Sequence, residues 1–139
     1  MPLPLLVRGI RGAITVEIDS HESIGEATVL LLDEIMRRNE LEPSQVSSVV
    51  FSLTPDLNSA FPASFAREMG WEDVPMLDVC EVGVRGSLPR CIRILMHVNT
   101  MREQSEIAHI YLREAQQLRP DISLRERRSV PRRAVGVRG

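Results

Sequence analysis

Every basic side chain in this 139-residue protein, apart from its three histidines, is an arginine. Any substrate carboxylate must therefore be held by guanidinium, which keeps its charge and binds a carboxylate through two parallel hydrogen bonds. Arg11 stands in a β-prone run and Arg93 among apolar residues. Read alone, each is as readily a solvent-facing or ion-paired arginine as a ligand for an anion. Metal chemistry has a thin basis. Glu106-Ile-Ala-His109 is half of a carboxylate metal motif with no second copy, and no other His, Cys or acid cluster has ligand spacing, so no metal is expected. His21 and His97 read as structural or exposed. There is no glycine-rich dinucleotide fingerprint, phosphate loop or nucleophile motif. Cys80 and Cys91 form neither a CxxC pair nor a disulfide framework. They read as free thiols of a reducing cytoplasm, with Cys91 a buried small hydrophobe inside an apolar run.

The elements that must position these groups can be read in order. Residues 6–18 are β-prone and interrupted by Gly9 and Gly12, which predicts a long, bent first strand. Asp19-Ser20 supplies a helix N-cap, and Glu22 and Glu26 follow where the helix dipole favours acids. Ile24, Ala27, Leu31, Ile35 and Met36 recur at helical spacing, so a helix is predicted over about 21–39. Strands are predicted at 46–53, 74–80 and 91–98, and a short helix from Phe61 through about Met69, stopped by Gly70. Residues 105–118 fit a helix by propensity, although His109-Ile-Tyr-Leu112 also fits a strand. This order points to a mixed sheet with helices on one face, whose other face needs cover. Oligomerisation is a natural way to provide it.

Charge is uneven along the chain. Residues 125–139 hold six arginines against one glutamate, a formal +5, while the whole chain is −2 and residues 1–124 carry the balance of −7. An acidic body with a short basic tail is not a nucleic-acid footprint, which needs a basic face on the fold itself. The tail is expected to be a flexible, solvated appendage, with a substrate-steering lid as the other reading. Composition is that of one globular domain, and no apolar run is long enough to span a membrane. The N-terminus lacks a basic region and a cleavage site and reads as mature sequence.

Several blocks then coincide. Arg8-Gly-Ile-Arg-Gly-Ala-Ile-Thr-Val-Glu17 comes first, followed by Thr54-Pro-Asp-Leu57, Phe61-Pro-Ala63 and Arg67-Glu68. Val74-Pro75 leads on to Glu81, and the series continues with Gly86-Ser-Leu-Pro-Arg-Cys-Ile-Arg93, His109-Ile-Tyr-Leu112 and Leu118-Arg-Pro-Asp121. In order and spacing they resemble the trimeric, single-domain chorismate mutases over nearly all of 5–124. The resemblance implies an α+β fold: a five-stranded mixed β-sheet with helices on one face, three copies packing sheet to sheet into a pseudo-α/β-barrel. It implies active sites between subunits of a homotrimer, and it resolves 105–118 as a strand through Leu112 followed by a short helix. The implied domain is 1–124.

The implied activity is the rearrangement of chorismate to prephenate in aromatic amino-acid biosynthesis, in the cytoplasm, with no cofactor, nucleic acid or membrane partner. By the same resemblance Arg93, Arg11 and Glu81 are the catalytic set: Arg93 at the ether oxygen, Arg11 on a side-chain carboxylate, Glu81 on the ring hydroxyl. Tyr111 would bind the side-chain carboxylate, Phe61 and Leu118 would line the apolar wall, and Arg67 would draw the dianion in. Ala63, Ser64, Met76, Leu77 and Asp78 complete the implied binding set. Ser64 stands where some relatives have lysine, and Asp78 where a thiol can occur, so the ring contacts differ from that pattern. The alternative is a trimeric small-molecule binding or regulatory protein on the same fold.

Overall fold

The computed structural model describes residues 5–119. Its strands are β1 (Leu6–Thr15), β2 (Val46–Leu53), β3 (Met76–Cys80), β4 (Cys91–Thr100) and β5 (Ile110–Leu112). The helices α1 (His21–Arg38) and α2 (Pro62–Glu68) connect β1 to β2 and β2 to β3, and short 3-10 turns lie at Pro43–Gln45, Gln104–Glu106 and Arg113–Leu118. The strands form one mixed sheet in the order β3-β2-β4-β1-β5. Central β4 runs antiparallel to both β1 and β2, while β3 and β5 add in parallel at the two edges. This is the five-stranded α+β sheet expected from the sequence.

The boundaries follow local chemistry. Ser20 caps α1 by accepting from the Ser23 N–H at 3.1 Å. Asp19, the other cap candidate, instead accepts from the backbone N–H groups of Asn58 and Ser59. The first strand stops at Thr15 rather than near Ile18, and Val16 N–H then bonds the carbonyl of Arg90. The fourth strand outlasts its apolar run and reaches Thr100, because Leu6–Arg8 of β1 continue the ladder opposite it. Residues 110–112 form a strand followed by a turn of 3-10 helix, so tertiary pairing with β1 overrides the helical propensity of the segment.

Alternation divides the sheet into two unlike faces. Ile10, Ile14, Val49, Phe51, Ile92, Ile94, Met96 and Val98 are buried and meet Ile24, Leu31, Leu32 and Ile35 of α1. Burying each such side chain contributes roughly 1.5–3 kcal/mol, so this face holds the fold together. Gly12 belongs to it: an added Cβ would lie 2.9 Å from Ile94, 3.0 Å from the Ile110 carbonyl oxygen and 3.1 Å from Ile35. The contact with backbone is the one that cannot yield cheaply. Asn39, fully buried at the end of α1, donates to the carbonyls of Ile35 and Ala108 and accepts from the Ala108 N–H. It thereby ties α1 to the segment that leads into β5. The opposite face is covered only at one end, where Ala13, Cys91 and Ala115 pack with Leu88 and Leu118, and is open elsewhere. Leu77 and Leu95 are 64% and 41% exposed there, with Val50 and Val79 beside them.

Candidate active site

The open face carries the charged residues in an arrangement set by strand register. Ser52, Arg93, Ala13 and Tyr111 are successive partners across β2, β4, β1 and β5, and Val50, Leu95 and Arg11 form the next row. Neighbouring strands lie about 4.8 Å apart, so side chains in a row share one strip of surface. A groove of about 240 Å³ results, lined by Arg11, Gly12, Val50, Ser52, Arg93, Ile94, Leu95 and Tyr111. The structure thus brings Arg11, Arg93 and Tyr111 together.

Glu81 joins them from just beyond β3. Its backbone N–H bonds the Leu53 carbonyl at 2.8 Å, which extends the β2 pairing and sets the residue beside Ser52. Its carboxylate accepts from the Ser52 hydroxyl at 2.6 Å and lies 3.6 Å from Nε of Arg93. Both partners of this ion pair are partly exposed, at 30% and 45% of side-chain surface. Exposed pairs of this kind contribute only about 0–1 kcal/mol to stability, so the pair serves poorly as a structural brace. It does orient a carboxylate and a guanidinium toward the same open space.

On the groove's own face of the sheet, Ala13, Cys91 and Ala115 form a small second cluster with Leu88, Tyr111 and Leu118 packed on it. Leu118 therefore belongs to the arginine side of the molecule. Burial pushes the Cys91 thiol up to about 11, with Arg93 pulling the other way, so it stays protonated and inert.

Other expected residues surround a second cavity of about 580 Å³ at the start of α2, whose lining includes His21, Leu53, Phe61, Ser64, Asp78 and Cys80. Phe61 is 68% exposed at its rim. Asp78 accepts from the backbone N–H of Ala63 at 3.1 Å, so it caps the first turn of α2. Partial burial raises the Asp78 pKa, while the Ala63 bond and nearby Arg67 act in the opposite direction. The carboxylate thus has a partner of its own. Ala63 is buried and offers its backbone to Asp78, Met76 packs against the core, and Leu77 points to the open face.

Two residues at the groove escaped sequence reasoning. Ser52, which holds Glu81, is one ordinary serine of a strand until register pairs it with Arg93. His109, read as half a metal motif, accepts the Arg11 N–H on Nδ1 at 2.9 Å. Among the described residues no group of three or more His, Cys, Asp or Glu side chains could hold a metal, and no helix is long and apolar enough to cross a membrane. The basic segment 125–139 and the end of the expected domain at 124 lie outside the described residues.

Among the described residues, the open face brings guanidinium groups, a held carboxylate and a phenol together on one mixed sheet, an arrangement suited to an anionic small molecule. Comparison with known proteins narrows the class. Residues 7–122 match the model of the family described as chorismate mutase type I. The chorismate mutase AroH of Thermus thermophilus is 50% identical over 118 residues, 84% of this chain and 97% of that protein. The Bacillus subtilis (strain 168) chorismate mutase AroH is 45% identical over 121 residues, 86% of this chain and 95% of that protein. A solved chorismate mutase from Clostridium thermocellum superposes with a TM-score of 0.77 at 42% identity, covering 78% of this chain and 96% of that one. The chain belongs to the type I chorismate mutase family.

Proposed function

We propose that the arginine groove binds chorismate and carries its rearrangement to prephenate, at sites completed by a neighbouring copy in a homotrimer. Chorismate mutase activity, an isomerase reaction, is that of the family to which the chain belongs. In this reaction an ether C–O bond breaks as a C–C bond forms, in one pericyclic step. No proton transfer or covalent intermediate is needed. A protein can accelerate it by holding the flexible enolpyruvyl arm over the ring and by placing fixed positive charge where the ether oxygen becomes negative.

The roles are those implied by the family resemblance, and the positions of the residues support them. Arg93, near the start of β4 and partnered by Glu81, is a preorganised donor for the ether oxygen and a carboxylate. Arg11, one row along and one strand over, takes the side-chain carboxylate together with Tyr111. Glu81, held by Ser52, accepts from the ring hydroxyl. Phe61, Ser64 and Asp78 of the second cavity, with Arg67 nearby, form the wall and entrance. The observation that carries this reading is the shared groove of Arg11, Arg93 and Tyr111, with Glu81 fixed beside Arg93.

The trimer is supported by the division of the candidate residues. Leu53, Asp78 and Cys80 of the second cavity lie on the helix-covered side of their strands. Ser52, Arg93 and Arg11 lie on the other. One sheet stands between the two groups, so the wall for one groove is best supplied by another copy. The uncovered apolar residues around Leu77 and Leu95 give such copies a surface to share. Purified protein should deplete the ultraviolet absorbance of chorismate, and folded Arg93→Ala should not. Absence of activity in the wild-type protein would leave a binding protein on the same fold.

A further inference from the structure

The groove-forming edge of β1 is only partly paired. On its outer side β5 meets β1 at Gly12, Ala13 and Ile14 alone. The outward-facing backbone groups just before that stretch belong to Gly9 and Arg11. Neither is left to water. Gln104 accepts from the Gly9 N–H through Oε1 at 3.0 Å and donates to the Gly9 carbonyl through Nε2 at 2.7 Å, as a neighbouring strand would. His109 Nδ1 accepts the Arg11 N–H at 2.9 Å. That role requires an unprotonated Nδ1.

We propose that His109 and Gln104 are positioning residues for Arg11: their side chains stand in for the missing strand and fix the backbone from which that guanidinium projects. The segment that bears them is itself held. Arg8 Nε donates to the Arg102 carbonyl at 2.9 Å, and buried Asn39 grips both the N–H and the carbonyl of Ala108. A chain of hydrogen bonds therefore runs from the end of α1, through Ala108 and His109, to Arg11. Stability alone explains the His109 bond poorly. The Arg11 amide is exposed, and water would satisfy it at little cost. Positional precision explains it better, because a misplacement of about 1 Å near a reacting substrate can cost on the order of 100-fold in rate.

The inference rests on Arg11 as a ligand of substrate, so the test separates the two. His109→Phe keeps an aromatic ring and removes the acceptor, whereas His109→Asn offers Oδ1 where Nδ1 was. The two are compared alone and with Arg11→Ala, using kcat/KM, thermal melting and amide hydrogen exchange at Arg11. The expected result is a loss on the order of tenfold for His109→Phe, substantial rescue by His109→Asn, and faster exchange at Arg11 in the phenylalanine variant. In the Arg11→Ala background the His109→Phe change should cost less than about twofold, since the two act through one contact. A full, additive loss in that background, or wild-type activity in His109→Phe, would overturn the positioning role. Faster exchange at the Arg11 amide combined with an active Arg11→Ala protein would show that the bond exists but that Arg11 does not hold substrate. That outcome would remove the proposal together with the reading beneath it.

Discussion

Two cavities among the described residues are built on opposite principles. The groove is small, about 240 Å³, and rests on strand register: its charged residues come from the central part of the sheet, above a well-packed core. The larger cavity, about 580 Å³, is assembled from a loop, the first turn of α2 and the outer edge strand. Charge stabilisation, the role proposed for the groove, tolerates little displacement, and the groove lies on paired strands above the packed core. Enclosing an apolar ring tolerates more, and loop-borne side chains such as Phe61 suffice. On the proposed roles, the more exacting task thus falls to the sheet.

Substitutions can break or sharpen that contrast. The largest effect is expected at the groove. Arg93→Ala should lower kcat by about 10³-fold or more, since losing one preorganised donor already costs 10²–10³-fold in comparable sites. A loss of less than tenfold in a folded variant would place the charge stabilisation elsewhere. Glu81→Gln keeps the shape and removes the charge, and should cost about 10- to 100-fold in kcat/KM, the worth of one charge-assisted hydrogen bond. Steady-state kinetics on chorismate measure both.

Below these comes the scaffold under the groove. Gly12→Ala forces a methyl against the Ile110 carbonyl and should cost about 1–3 kcal/mol of stability, read as a fall in Tm. Unchanged Tm would show that the sheet is softer than the contrast requires.

The smallest effect is expected at Asp78, in the other cavity. The Asp78 pKa is raised in the folded protein, so between its ordinary and raised values the native state holds more protons than the unfolded one. Stability therefore falls as pH rises through that window. Asp78→Asn, which can still accept from Ala63, should be more stable than wild type above the window, with the difference fading toward acid. Removing this charge should also lower KM by about fivefold or less, the scale of one charge at about 4 Å in water. A Tm difference that stays constant with pH would contradict this linkage.

Much of this was readable from the chain. Helical spacing placed α1, and the Val46–Leu53 strand was bounded correctly by its own composition. Arg11, Arg93, Glu81 and Tyr111 were named from blocks of sequence that resemble the family. What escaped were relations, not residues. Ser52 and Glu81 are 29 residues apart, and Arg11 and His109 are 98 apart. No local pattern encodes such pairings, because they depend on how strands align across the sheet. Asp78 was read as standing where a thiol can occur, and its carboxylate accepts from the backbone of α2.

Complementation between subunits tests the composite site most directly. Arg93→Ala disables the groove and Phe61→Asp the wall, and each protein alone should be nearly inactive. Refolded together in equal amounts, they should recover activity in about one quarter of the sites, the fraction that random assembly of a closed ring gives one intact groove beside one intact wall. Mixed oligomers seen by native mass spectrometry with no recovered activity would contradict a site shared between protomers.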